Sequence, residues 1–136
     1  MKSTNYYNTL IEVADDCKEN EGKQPLQRSN KQTIATIQFE LISKNPYQYT
    51  SDDILFLTHC IRKNIPKDIQ LAERDSFFEK SQACLRSSPL PKQFGWGVHS
   101  NNDGKIALYD CSSDEYHRLQ KADEIKTVKA MRSRKA

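Results

Sequence analysis

The sequence predicts an α+β domain, a small antiparallel sheet that includes a central hairpin and packs with three to four helices. Three observations carry that expectation. Two apolar runs, Phe94 to Ser100 and Lys105 to Cys111, flank Asp103-Gly104. That dipeptide favours a tight turn, because glycine takes positive φ without a Cβ clash. Two capping signatures, Thr50-Ser51-Asp52-Asp53 and Ser112-Ser113-Asp114-Glu115, precede stretches with helical spacing. A run rich in β-formers, Tyr7 to Ala14, opens the chain and stops at Asp15-Asp16. The order strand, helices, hairpin, helix is that of an α+β fold rather than of alternating βαβ units.

Each element has its own reason. Lys18 to Lys31 is polar and contains Gly22 and Pro25, so it reads as a loop long enough to move or to cover something. Thr33 to Ser43 fits two templates. Ile34, Ile37 and Leu41 make a helical face, whereas Ala35, Ile37, Phe39 and Leu41 alternate as in a strand. Helix is favoured because the apolar residues spill onto both strand faces, and Asn45-Pro46 ends the segment either way. The helix capped at Thr50 is expected to bury Ile54, Leu57, Thr58 and Ile61, and Pro66 closes it. Asp68 to Ala83 is expected to be helical in part, with Leu71 and Phe78 one heptad apart. In the first hairpin strand, Phe94, Trp96 and Val98 share one face and Gly95, Gly97 and His99 the other. The glycine face is nearly bare, so another element or a ligand can approach the backbone there. The second capping box opens a helix bearing Tyr116 and Leu119.

A chain of 136 residues fits a single domain, 1–136, with a real core and no need of disulfide staples. The charged fraction of 29% against 36% hydrophobic implies a modest core under a well-solvated surface. Residues 126–136 carry Lys126, Lys129, Arg132, Arg134 and Lys135 with no acid, and read as a basic, mobile C-terminal tail. The net charge of +3 is too small to imply a nucleic-acid partner by itself. No apolar run is long enough to span a bilayer, and Met1-Lys2-Ser3-Thr4-Asn5 lacks the core of an export signal. Cys17, Cys60, Cys84 and Cys111 include no CxxC pair. The expectation is a cytoplasmic protein with reduced thiols and no membrane partner. No cofactor is signalled, and His59 and His117 lack the spacing of a helical metal site.

The stretch from Cys84 to His99 concentrates the residue types that fix backbone shape or do chemistry. The favoured expectation is non-catalytic binding of a small anionic ligand or a phosphorylated partner. Arg86 offers a bidentate fork, Ser87 and Ser88 add hydroxyl donors, and Lys92 adds a point charge. His99 supplies a further polar contact and Trp96 a floor or wall. The competing structural reading ties Arg86 to a carbonyl or a buried carboxylate and gives the serines to turns. A second expectation is an enzyme in which Arg86 lowers the pKa of Cys84 and His99 takes its proton; an inert buried thiol is the alternative. A third is a nucleic-acid-binding module led by the basic tail. Asp52 and Asp53 read as helix-capping residues rather than a catalytic pair.

The chain also resembles a full-length family of small, mostly bacterial proteins, a domain of unknown function. The resemblance is carried by Thr4-Asn5-Tyr6-Tyr7-Asn8-Thr9, Ile11-Glu12-Val13-Ala14 and Tyr49-Thr50-Ser51-Asp52-Asp53. It continues through Cys84 to His99, Gly104-Lys105-Ile106-Ala107-Leu108-Tyr109 and Lys129-Ala130-Met131-Arg132-Ser133. It implies no activity, substrate or catalytic residue. The family pattern has a threonine near Pro91 and a basic residue near Gln93; their loss here takes a hydroxyl and a charge from the loop.

Overall fold

A computed structural model of the chain describes residues 3–26 and 32–133. The first strand, Thr9–Glu12 (β1), is followed by helices Ile34–Ser43 (α1), Ser51–Lys63 (α2) and Lys67–Glu79 (α3); residues 27–31 of the expected loop lie outside the described residues. A single 3-10 turn, Leu85–Ser87, and a short helix, Pro89–Gln93 (α4), precede the hairpin strands Trp96–Ser100 (β2) and Ile106–Asp110 (β3). Helix Asp114–Lys121 (α5) and strand Lys126–Lys129 (β4) complete the α+β architecture. The sheet order is β3-β2-β1-β4.

The sheet is mixed rather than wholly antiparallel. β1 pairs antiparallel with β2 but parallel with β4, with Thr9 opposite Lys126 and Ile11 opposite Val128. Residues 126–129 are therefore a strand, not a free tail. Ala130 is buried, the Met131 amide donates to the Arg86 carbonyl, and the Ser133 amide reaches the Asp16 carboxylate. The rest of the predicted tail, 134–136, lies outside the described residues. A parallel pairing between the two ends of a chain leaves no turn signal, which is why the sequence reads as a tail there.

Alternation along β2 sorts the two sheet faces. Ile11, Val98 and Leu108 are register partners on one face, and Leu10, His99 and Ala107 on the other. The first face carries the main core, where Ile42, Ile54, Leu85 and Leu90 close over Ile11 and Val98. Each such side chain contributes about 1.5–3 kcal/mol on burial. On the other face α5 covers the glycine positions. The Tyr116 ring lies where a Cβ on Gly97 would have to go, and its hydroxyl accepts from the Val13 amide at 3.1 Å. Burial pushes that hydroxyl's pKa up to about 12. The bare strand face is thus taken by another element of the chain.

Helix starts follow the capping signatures. Thr50 accepts from the Asp53 amide while Asp53 accepts from the Thr50 amide, and Ser113 caps α5 through the Tyr116 amide. Thr33 forms the same reciprocal box with Thr36, which settles the ambiguous segment as helix α1. The buried stripe of α2 differs from expectation. Ile54 and Thr58 are buried, but Phe56 and Cys60 join them, whereas Leu57 is half-buried and Ile61 is exposed. α3 packs beside α2, so Phe78 closes on Phe56 and Cys60 in a second, smaller core. Leu71, read as its heptad mate, stands 84% exposed. The hairpin turn forms as predicted, with Asn101 Oδ1 accepting from the Asp103 and Lys105 amides at 3.0 Å each.

Replacing Gly97 by Ala should destabilise the fold by about 1–3 kcal/mol, because the added methyl must displace a ring that is itself packed. Urea unfolding of Gly97→Ala against wild type measures it; an unchanged midpoint would show that α5 lifts off freely.

Candidate functional site

The structure scatters the predicted anion-binding residues and gives most of them structural partners. Arg86 Nε donates to the Lys129 carbonyl at 2.6 Å, and the Arg86 carbonyl accepts from the Met131 amide at 2.8 Å. Arg86 therefore straps β4 from the side, as the structural reading anticipates. Ser88 Oγ donates to Gln38 Oε1 at 2.7 Å and accepts from the Leu90 amide at 3.2 Å, which makes it the N-cap of α4. Lys92 lines a different cleft with Asp16, Lys18 and Ser133. Trp96 Nε1 donates to the Lys23 carbonyl at 2.9 Å, with Gly22 against the indole and Phe39 tilted onto it at 5.4 Å. The indole is thereby packed against the loop that follows β1 and against Phe39.

Cys84 and His99 are not brought together. His99 lies on the sheet face opposite Val98, whereas Leu85, next to Cys84, packs into the core on the Val98 side. Cys84 Sγ sits 3.3 Å from the Tyr6 hydroxyl, whose pKa is raised by burial and by that bond. His99 Nδ1 sits 2.8 Å from the Tyr47 hydroxyl, which lies 2.7 Å from the Tyr109 hydroxyl. Burial holds the His99 imidazole below its usual pKa, and the tautomer of the neutral ring sets which way the hydrogen bond to Tyr47 runs. Tyr47 reaches this position with φ +59°, in the left-handed region, its amide donating to the Ile106 carbonyl at 2.8 Å. No sequence rule flags this trio, since the three residues come from two strands and a loop.

The acidic residues are structural too. Asp52, 2% exposed, accepts from the Ser3 hydroxyl and from both the amide and the hydroxyl of Thr4, at 2.7–2.8 Å. That carboxylate clasps the N-terminal segment onto α2. Asp53 pairs with Arg74 at 2.9 Å. Of the strand and tail cations, Lys129 and Arg132 both reach Asp15, at 3.3 and 3.6 Å. No group of three or more His, Cys, Asp or Glu is placed to hold a metal ion among the described residues. No helix of the described residues is long and apolar enough to cross a membrane.

One part of the predicted segment does line a concave site. A groove of about 380 Å³ runs between α1, α2, the end of α3 and residues 83–89. Leu55, His59 and Arg62 project from α2 at helical spacing, and Ile34 and Gln38 from α1. Cys84, Ser87 and Ser88 close the other side. His59 stacks near Phe77, ring centroids 4.8 Å apart, so its wall is aromatic. Gln38, 3% exposed, is spent on Ser88 at the base. Arg62, His59 and Ser87 make no ion pair or side-chain hydrogen bond among the described residues, and so present open donors to a groove of mixed apolar and polar lining. His59 and Arg62 escape sequence reasoning because they read as ordinary surface positions of an amphipathic helix.

The model of a family of unknown function, DUF6157, matches residues 1–136, and the chain belongs to that family. No curated protein and no solved structure matches the chain.

Removing the Arg86 guanidinium takes away a strap across β4. Arg86→Ala should lose about 1–2 kcal/mol of stability, read by denaturant unfolding; an unchanged stability would free Arg86 for ligand binding. Because His99 titrates lower in the folded than in the unfolded chain, the unfolded state binds more protons. Its contribution is fully present above the ordinary imidazole pKa and is lost as pH falls through the folded value. The urea midpoint should drop from pH 7.5 to pH 5 less steeply in His99→Gln than in wild type. Equal slopes would place the acid sensitivity elsewhere.

Proposed function

We propose that this protein is a non-catalytic binding protein for a small anion with an apolar or aromatic body, and that the ligand occupies the groove between α1, α2 and residues 83–89. The observation that carries this reading is the open guanidinium of Arg62 at a groove that mixes the apolar side chains of Ile34, Leu55, Phe77 and Leu85 with polar ones, Thr58 and Gln82 among them. An apolar concavity with a few convergent donors is the usual form of a small-molecule site. Arg62 would fork onto a carboxylate or phosphate, with His59 and Ser87 as further donors. The apolar walls would hold the body of the ligand. The reading keeps the anionic ligand and the Cys84–Ser88 side of the sequence expectation, and moves the anchoring charge from Arg86 and Lys92 to α2. Four free thiols support residence in a reducing compartment such as the cytoplasm.

A thermal-shift panel of aliphatic carboxylates, aromatic carboxylates and phosphomonoesters tests it. At least one class should raise the melting temperature of the wild type, and Arg62→Ala should weaken that ligand about tenfold or more while leaving the unliganded melting temperature within a degree or so. No shift across the panel, or equal binding by Arg62→Ala, would remove the groove as an anion site.

A further inference from the structure

The two edges of the sheet are finished differently. At the β3 edge, residues 47–49 act as a cover: the Tyr47 amide donates to the Ile106 carbonyl and the Ile106 amide to the Tyr49 carbonyl, at 2.8 and 2.9 Å. At the other edge, β4 faces outward. The Lys126 and Ala130 amides donate inward, to the Asn8 and Glu12 carbonyls. In a parallel pair the intervening residues, Thr127 and Lys129, turn both backbone groups away from β1. The Lys129 carbonyl and the Met131 amide are taken by Arg86. The Thr127 amide, the Thr127 carbonyl and the Lys129 amide have no partner among the described residues. They form a short open ladder that ends against the Arg86 guanidinium.

The charge along this ladder selects what can pair with it. Lys126, Thr127 and Lys129 are all exposed, and Lys126 makes no ion pair among the described residues. Edge lysines discourage pairing with a like-charged strand. A second copy of β4 would bring its own lysines against these; Asp15 offsets Lys129 in each copy, but Lys126 has no acidic partner among the described residues. An extended segment bearing Asp or Glu meets the opposite condition: Lys126 stands on one face of the sheet and Lys129, shared with Asp15, on the other, and Arg86 lies where the segment must end.

We propose that the outer edge of β4 is a docking site for an extended acidic segment of another protein, which adds as a fifth strand by backbone pairing at Thr127 and Lys129. Backbone bonds would supply the alignment and the basic rim the preference. The surface is separate from the α1–α2 groove and does not depend on a ligand there.

Fluorescence anisotropy of the full chain with a labelled hexapeptide alternating glutamate and valine, and with its lysine–valine counterpart, tests the proposal. The glutamate peptide should bind and the lysine peptide should not, and binding should weaken several-fold as salt is raised. Thr127→Pro deletes an amide that the fold does not use, so it should leave the circular dichroism spectrum intact and weaken the glutamate peptide at least about tenfold, the equivalent of 1.4 kcal/mol. Should that variant unfold, the pair Lys126→Glu with Lys129→Glu serves instead, and should shift preference toward the lysine peptide. Absence of binding, or undiminished binding by Thr127→Pro in a folded protein, overturns the proposal. Concentration-dependent dimerisation abolished by Thr127→Pro would overturn it in favour of a second copy at this edge.

Discussion

Everything in this fold follows from burying β1 on both faces. Leu10 and Ile11 are adjacent, point to opposite sides of the sheet, and are 0% and 1% exposed. A strand buried on both faces needs a layer above and a layer below. α1, α2 and α4 supply one, and α5 the other. It also has a neighbour on each side, β2 and β4, and β4 comes from a segment more than a hundred residues further along the chain. The parallel β1–β4 pair, the helix that crosses to reach it, and the Tyr116 ring seated on Gly97 all serve that one requirement.

The path of the stretch from Cys84 to Gly97 is set by the same requirement. It has to turn out of α3, lay Leu85 and Leu90 over β1, cap a short helix with Ser88, and enter β2. Arg86, Ser88 and Trp96 look like ligand contacts because the residues that bind anions and rings also satisfy carbonyls, cap helices and close loops. Their hydrogen bonds here run to Lys129, Gln38 and Lys23, partners drawn from regions far along the chain. The proposed anion groove draws on donors that these bonds leave over, on α2 and at Ser87.

Local signals were legible because they involve residues three or four apart. The Thr50 box, the Ser113 cap and the Asn101–Lys105 turn are complete within a few residues, so composition and spacing suffice. α1 needed one step more, since Thr33 and Thr36 are not the usual capping pair but make the same reciprocal bonds. Errors began where a contact spans many residues. A helical period places Ile61 on the buried side of α2, but α3 lies against Phe56 and Cys60, which rotates the buried stripe. The strand in residues 126–129 is silent in the sequence because one valine among two lysines and a threonine carries little periodicity, and its partner is more than a hundred residues away.

The sequence by itself determined the α+β class, the hairpin, the capped helix starts and the concentration of special residues between Cys84 and His99. These rest on backbone preferences that act over a turn of chain. Only the tertiary structure decided the parallel pairing at β4, the separation of Cys84 from His99 by the sheet, the Tyr47–His99–Tyr109 cluster, and the pairing of Arg86 with a strand edge while Arg62 stays open. Those outcomes depend on which donors and acceptors meet after collapse. The burial cost of an unpaired polar group is the same wherever its partner comes from, so the sequence records the need for a partner without recording which one.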